Sequence, residues 1–156
     1  MKAFDYIEIR IPAKPQYVSV IRLAISGLAT RVGFLYDQIE DIKIAISEAV
    51  TNVVQHAYEE SEQGDIVIGC ALYTDKIEIL VTDFGNSFDF EEIKKEVGPY
   101  EPNSSITQLR EGGLGLFLME TLMDEVKVNS ENGVTVFMTK FVKREQVKHR
   151  DQTITS

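Results

Sequence analysis

Two polar residues one helical turn apart stand out in the segment "EAVTNVVQHAY", which begins at Glu48. Apolar residues recur at helical spacing from about Asp37 to Tyr58, which predicts an amphipathic helix. Residues four apart are neighbours on a helix surface, so Glu48 and Asn52 share one flank. An amide oxygen suits Mg²⁺, and a nearby carboxylate can accept a proton from an attacking hydroxyl or water. The pair therefore predicts a metal and base site. The alternative is a solvated helix face, with His56 capping or packing near its end.

A second candidate lies in "VTDFGNSF", where Asp83 ends a predicted strand and Gly85 relieves the turn that follows. A carboxylate that faces a pocket from this position can accept a hydrogen bond from an exocyclic amine such as that of adenine. The alternative is an ordinary loop-start Asp followed by a turn Gly. The tripeptide "DFG" does not indicate a eukaryotic-type protein kinase, because neither an HRD catalytic loop nor a kinase glycine loop accompanies it in 156 residues.

The third candidate is "EGGLGLFLME", in which Gly112, Gly113 and Gly115 precede or open a strongly apolar helix. Glycines let a ligand approach the backbone, and the start of a helix offers unpaired N–H groups that attract anions. The segment predicts a phosphate-binding loop without basic side chains. It is not a Walker A loop, since no Gly-Lys-Ser/Thr follows, and no βαβ unit surrounds it as a Rossmann site requires.

The elements around these clusters predict an α+β fold: a two-layer α/β sandwich with one mainly antiparallel sheet and helices on one face. The N-terminal strand and the hairpin after residue 64 alternate in polarity, and Asn132-Gly133 marks the turn of a closing hairpin. Residues 84–111 are polar, apart from a turn or two of helix in "DFEEIKKE", and predict a long loop that is either a functional lid or disordered. We expect one domain over residues 1–142 and a polar tail over residues 143–156.

Composition limits the cellular location and the binding partners that we expect for the protein. The net charge of −9 argues against a nucleic-acid partner, because phosphate backbones attract basic surfaces. The single Cys70 lies among apolar strand residues, which favours a small buried hydrophobe over a reactive thiol. The N-terminus has acidic residues where a signal peptide needs an apolar run, and no apolar stretch approaches the roughly 20 residues of a membrane helix. We therefore expect a cytoplasmic protein that does not enter a membrane.

Together, "EAVTNVVQHA", "DFG" and "GGLGL" resemble the N box, G1 box and G2 box of the ATPase superfamily that contains gyrase B, Hsp90, MutL and the histidine kinases. The likeness covers nearly the whole chain and implies the histidine-kinase-like ATPase fold, also called the Bergerat fold. The segments "IEDIKIAISEAVTNVVQHAY" and "EGGLGLFLMETLMDEV" resemble, more narrowly, the anti-sigma factor serine kinases of the sigma-B type.

The resemblance implies a role for each candidate residue. Glu48 is the general base, and Asn52 binds the Mg²⁺ that bridges the phosphates of ATP. Asp83 contacts the adenine amine, and Gly85 makes room beside it. Thr135 supports the adenine contact, and residues 84–111 form the ATP lid. Four residues at the start of the glycine-box helix face the phosphates: Gly113, Leu114, Gly115 and Leu116.

For activity, the resemblance implies an ATP- and Mg²⁺-dependent protein-serine kinase that also acts as an anti-sigma factor. Such a protein sequesters an alternative, general-stress sigma factor and phosphorylates a serine of the anti-anti-sigma antagonist. Relatives dimerise, and a first helix with apolar residues on more than one side agrees with a homodimer. The alternative is an ATP-gated sigma-factor-binding module without significant kinase activity. Glu48 favours the kinase, because simple nucleotide binding needs no carboxylate beside the metal ligand. Whether Arg110 or Glu111 reaches the γ-phosphate stays open at this point.

Overall fold

One five-stranded antiparallel sheet organises the protein. The computed structural model describes residues 2–59, 64–83, 89–97, 114–130 and 133–143. The order of the strands across the sheet is β1-β2-β3-β5-β4, and every neighbouring pair is antiparallel. Their bounds are β1 Asp5–Pro12, β2 Asp65–Leu72, β3 Lys76–Thr82, β4 Glu125–Asn129 and β5 Thr135–Phe141.

Three of the four helices in the described ranges pack on one face of this sheet. A single 3-10 turn at Pro15–Tyr17 leads into α1 (Val18–Val32), and Gly33 ends α1 with φ of 106°, a left-handed conformation that favours glycine. Helix α2 (Tyr36–Glu59) contacts α1 on one side and α4 (Leu114–Leu122) on the other. Because α2 lies between α1 and α4, its residues contact both of these helices and the sheet.

The main core lies between these helices and the sheet. Its strand residues alternate along β2, β3 and β5, which is the period expected where one sheet face is buried against helices. The fully buried members include Ile21, Ile25, Ile46, Ile68, Ile79, Val136 and Met138. Cys70 belongs to this core at 0% exposure, and burial raises the pKa of its thiol, so the expected buried hydrophobe is confirmed.

The fourth helix, α3 (Phe90–Glu96), lies against the opposite face of the sheet. The Asp89 carboxylate caps it by accepting a hydrogen bond from the Glu92 N–H at 3.2 Å. Phe90 and Val97 fill a smaller cluster with Tyr73, which follows β2, and with strand residues of this second face: Ala71, Leu80 and Phe137. The polar segment expected as a long loop thus contains a short helix, α3, which packs against the sheet.

The predicted fold class is confirmed by this architecture. The main helices cover one face as expected, and α3 adds a small patch on the other. Within the lid expected over residues 84–111, only residues 89–97 belong to the described ranges; within the polar tail expected over residues 143–156, only Lys143 does. None of the helices in the described ranges combines the length and the hydropathy that a bilayer crossing demands.

Candidate active site

Asn52 and Glu48 lie one helical turn apart on α2. Asn52 is only 3% exposed, which excludes the solvated helix face considered from the sequence. Neither Nδ2 nor Oδ1 of its carboxamide has a hydrogen-bond partner among the described residues. Glu48, one turn earlier, is half-buried. Because a buried amide without partners costs about 1–3 kcal/mol, Asn52 is the polar group here that most needs a ligand.

Asp83 directly follows β3 and points to the helix side of the sheet. Val81, two residues earlier, is in the helix-side core, and side chains two apart share a face. The Asp83 carboxylate lies 4.0 Å from Nε2 of His56, which is one turn after Asn52 on α2. These side chains are 17% and 14% exposed. The end of β3 and the second half of α2 thus place an acceptor and an imidazole beside the metal-ligand candidate.

The start of α4 forms the third part of the site. Gly115 and Leu116 are buried against α2, whereas Leu114 is 62% exposed. The first N–H groups of a helix have no partner within it and carry a partial positive charge. Four of the candidates lie outside the described residues: Gly85, Arg110, Glu111 and Gly113. The roles of the two glycines therefore stay predictions, and the choice between Arg110 and Glu111 at the γ-phosphate stays open.

Thr135 does not join the other candidates. Its hydroxyl is 2.9 Å from that of Thr82, its partner across the β3–β5 ladder. Thr135 has the same parity along β5 as Phe137, which packs on the α3 side, whereas Asp83 points to the helix side. The helix-side core contains the neighbouring Val134, together with Val136 and Met138, all at 0% exposure.

Glu48 also borders a groove between α1 and α2 of about 340 Å³. The Arg22 guanidinium donates a hydrogen bond across this groove to Ser47 Oγ at 3.4 Å. The remaining lining residues are Glu40, Lys43 and Ile44. Glu48 therefore lines a groove between α1 and α2 and also lies one helical turn from Asn52.

The described residues contain no cluster of three or more His, Cys, Asp or Glu side chains that could hold a metal ion by themselves. The donor set fits a different kind of cation site. Mg²⁺ dehydrates reluctantly and is usually held by one or two protein oxygens together with substrate phosphates. The orphaned Asn52 amide oxygen is a ligand of that type, and the adjacent start of α4 suits the phosphates.

Comparison with known proteins agrees with this arrangement. The family described as histidine kinase-like ATPase domain matches residues 11–140. The serine-protein kinase RsbW of Oceanobacillus iheyensis is 53% identical over 156 residues, covering 100% of this chain and 99% of the relative. That of Bacillus subtilis is 55% identical over 150 residues, covering 96% and 93%.

Among solved structures, the fold resembles the crystal structure of the RsbU and RsbW domains of Rv1364c from Mycobacterium tuberculosis. The TM-score is 0.60 at 23% identity, over 88% of this chain and 32% of that one. A two-layer sandwich with this site defines an ATPase of the histidine kinase-like class. The chain belongs to this family and, within it, to the RsbW serine-protein kinases. It is a protein-serine kinase, as the sequence predicted.

Proposed function

We propose that the protein binds Mg-ATP between α2, the end of β3 and the start of α4, and transfers the γ-phosphoryl group to a serine of an antagonist protein. The observation that carries this proposal is the buried Asn52 carboxamide, whose nitrogen and oxygen have no partner among the described residues. A buried amide without partners costs about 1–3 kcal/mol, so its retention in the fold supports a site where a bound ligand satisfies it.

Asn52 would hold Mg²⁺ through its neutral amide oxygen, and the phosphates of ATP would supply the negatively charged ligands. When bound, Mg²⁺ neutralises charge on the phosphates and orients them for transfer. The first N–H groups of α4, from Leu114, Gly115 and Leu116, would bind phosphate oxygens through the positive end of the helix. Gly113 would allow the chain to approach them. This division suits a chain with a net charge of −9, because it needs no basic side chains.

Glu48 acts as the general base. Its carboxylate accepts the proton of the serine hydroxyl while the serine oxygen bonds to the γ-phosphorus. The bond from that phosphorus to the β–γ bridging oxygen breaks, and ADP leaves with the electron pair. The groove beside Glu48 would give a protein serine a route to this carboxylate. A nucleotide-gated binding module without kinase activity would not need this acid.

Asp83 would accept a hydrogen bond from the adenine amine, with Gly85 giving the base room. Guanine presents an oxygen acceptor at the same ring position, so two acceptors would face each other and ATP should bind more tightly than GTP. We assign Thr135 an indirect part: its hydrogen bond to Thr82 holds the end of β3 from which Asp83 projects.

The partners follow from the family. The protein would sequester an alternative sigma factor of the general-stress, sigma-B type, and its serine substrate would belong to the anti-anti-sigma factor. Residues 84–111 would form a lid joining the adenine side to the phosphate side, so that ATP favours the sigma-bound complex and ADP the unphosphorylated antagonist. A tenfold difference in relative affinity requires only about 1.4 kcal/mol. The protein would bind and phosphorylate its partners in the cytoplasm.

The test of the chemistry is Glu48→Gln. The amide preserves shape but cannot accept the serine proton, so we expect ATP binding to persist while single-turnover phosphorylation of the antagonist falls roughly 10²–10⁴-fold. Phosphoserine is quantified by mass spectrometry and ATP affinity by calorimetry. Glu40→Gln is the matched control, because Glu40 is on the same helix and lines the same groove. Near-normal phosphotransfer by Glu48→Gln would falsify the base assignment.

A further inference from the structure

Gly133, at the entry to β5, is in close contact with the Asp83 carboxylate. Gly133 has φ of 96°, and a Cβ built on it would overlap Oδ1 of Asp83 and lie 3.0 Å from Oδ2 and 3.1 Å from Cγ. No side chain can occupy this space while the carboxylate keeps its position. The pairing of β3 with β5 explains why Gly133 lies close to Asp83. Thr82 pairs with Thr135, so Asp83, the residue after β3, lies beside the segment that leads into β5.

His56 of α2 approaches the same carboxylate, with Nε2 4.0 Å from Oδ2. Asp83 therefore has the Gly133 backbone next to it on the β5 side and an imidazole next to it on α2. Both contacts come from segments distant in sequence, and both carboxylate oxygens are within their reach. The available space limits the carboxylate's position, because a shift towards β5 meets the Gly133 backbone and a shift towards α2 meets the ring.

We infer that Gly133 is a specificity-determining residue, which acts by leaving the space that Asp83 needs to face the nucleotide base. This inference rests on the proposed function, in which Asp83 accepts the adenine amine. A side chain at position 133 displaces the carboxylate, and a displaced acceptor no longer distinguishes a donor amine from an acceptor oxygen. The glycine is thus required for discrimination between adenine and guanine nucleotides as well as for its turn.

The experiment compares Gly133→Ala with Gly33→Ala. Both glycines have left-handed backbone, with φ of 96° and 106°, so both substitutions introduce the same kind of strain. A Cβ at Gly33 meets nothing within 4 Å, whereas one at Gly133 meets Asp83. Affinities for Mg-ATP and Mg-GTP are measured by competition. We expect Gly133→Ala to lower the ATP-to-GTP affinity ratio roughly tenfold or more, and Gly33→Ala to preserve it.

Gly133→Asn provides a second variant should Gly133→Ala fold poorly, because Asn tolerates positive φ better while still carrying a Cβ. It should lower the ratio in the same way. Equal ratios for the two position-133 variants, the Gly33 variant and the wild type would overturn the inference.

A double-mutant cycle separates this inference from the proposed function. If Gly133 acts through Asp83, then Gly133→Ala changes the ratio in the wild type but has no further effect when Asp83 is already Ala. An unchanged ratio in Asp83→Ala alone would remove Asp83 from base recognition and overturn both proposals. A lower ratio in Asp83→Ala, with no effect of Gly133→Ala, would overturn only the role of Gly133.

The nucleotide-free protein gives an independent reading. The chain has two histidines, His56 and His149, so imidazole signals in an NMR spectrum are readily assigned. Displacement of the Asp83 carboxylate should shift the His56 ring signals in Gly133→Ala and leave them in place in Gly33→Ala. His149 serves as an internal reference. Unchanged His56 signals in Gly133→Ala would show that the carboxylate has not moved and would overturn the inference.

Discussion

At the scale of single residues, two buried carboxamides on α2 differ in one respect. Gln38 is 3% exposed and fully engaged: Oε1 accepts the Leu35 N–H at 3.3 Å, and Nε2 donates to the Phe141 carbonyl at 3.1 Å. Asn52 is equally buried, yet neither of its polar atoms has a partner among the described residues. One amide therefore supports the fold, and the other weakens it in the absence of ligand.

This contrast predicts opposite effects of the same kind of substitution. Asn52→Leu should raise the free energy of unfolding without nucleotide by about 1–3 kcal/mol, because it removes an unsatisfied buried amide at similar volume. Gln38→Leu should lower the same free energy, because it leaves a backbone donor and acceptor unpaired. Urea unfolding measures both. In Asn52→Leu, the stabilisation that Mg-ATP gives the wild type should also disappear.

A loss of stability in Asn52→Leu comparable to that in Gln38→Leu would mean that Asn52 is a structural amide. The metal role would then lose the observation on which it depends. Sequence patterns alone treat both residues as polar interruptions of an amphipathic helix.

At the scale of elements, a partly buried ion pair between Glu78 and Lys94 holds α3 on the second face of the sheet. Glu78 on β3 is 3% exposed, and its Oε1 accepts hydrogen bonds from Lys94 Nζ of α3 and from the Tyr73 hydroxyl, both at 2.9 Å. Lys76 lies 3.4 Å from the other oxygen. Burial alone would raise the pKa of Glu78, but these hydrogen bonds and charges outweigh it and lower the pKa.

A carboxyl with a lowered folded-state pKa stabilises the protein above its unfolded pKa, which is about 4.3 for Glu. That stability is lost as the pH falls from about 4.3 through the lower folded value. Glu78→Gln should therefore reduce the free energy of unfolding by about 1–3 kcal/mol at pH 7, and the deficit relative to wild type should shrink below pH 4.3. Urea unfolding at several pH values checks this.

Glu125→Gln is the control for that experiment. Its carboxylate is 50% exposed and pairs with Lys127 at 3.8 Å, so the pair should contribute no more than about 1 kcal/mol. A deficit in Glu78→Gln that is equally large at every pH would contradict the ion-pair explanation and indicate lost packing.

At the scale of the whole molecule, α1 presents apolar residues away from its own core. Ile21 and Ile25 are 0% exposed and face the sheet, whereas Val20 is 49% and Leu23 is 68% exposed. Packing on its own sheet therefore accounts for only one side of the helix. We therefore propose a homodimer through the N-terminal strand and first helix, because exposed apolar residues close together favour protein–protein contact.

The dimer proposal predicts a sedimentation mass of about twice 17.6 kDa at micromolar concentration for the wild type. Leu23→Glu should dissociate it, because a carboxylate at the interface has to be desolvated. Phe117→Glu is the matched control: Phe117 is 64% exposed but lies on α4, so the mass should not change. A monomeric wild type would remove the proposal, and dissociation by both variants would place the interface elsewhere.

The amino-acid sequence by itself determined the local chemistry and the class of fold. Period-two and helical alternation marked β1, α1 and α2, because burial on one face imposes these periods. The spacing of Glu48 and Asn52 marked them as neighbours, since four residues make one helical turn. Three short motifs in order were enough for the family, which the comparisons confirm.

Only the tertiary structure decided which groups meet across the sheet. The sequence predicted Gly133 as the glycine of a hairpin turn. Nothing in the sequence around it indicated a contact with Asp83, fifty residues earlier. Strand order and register bring the two residues together. The same register turns Thr135 to the second face and Val134 to the core, because a one-residue step in a strand reverses the side-chain direction. Burial of Asn52 likewise depends on how α2 packs in the fold, a long-range arrangement that no local period encodes.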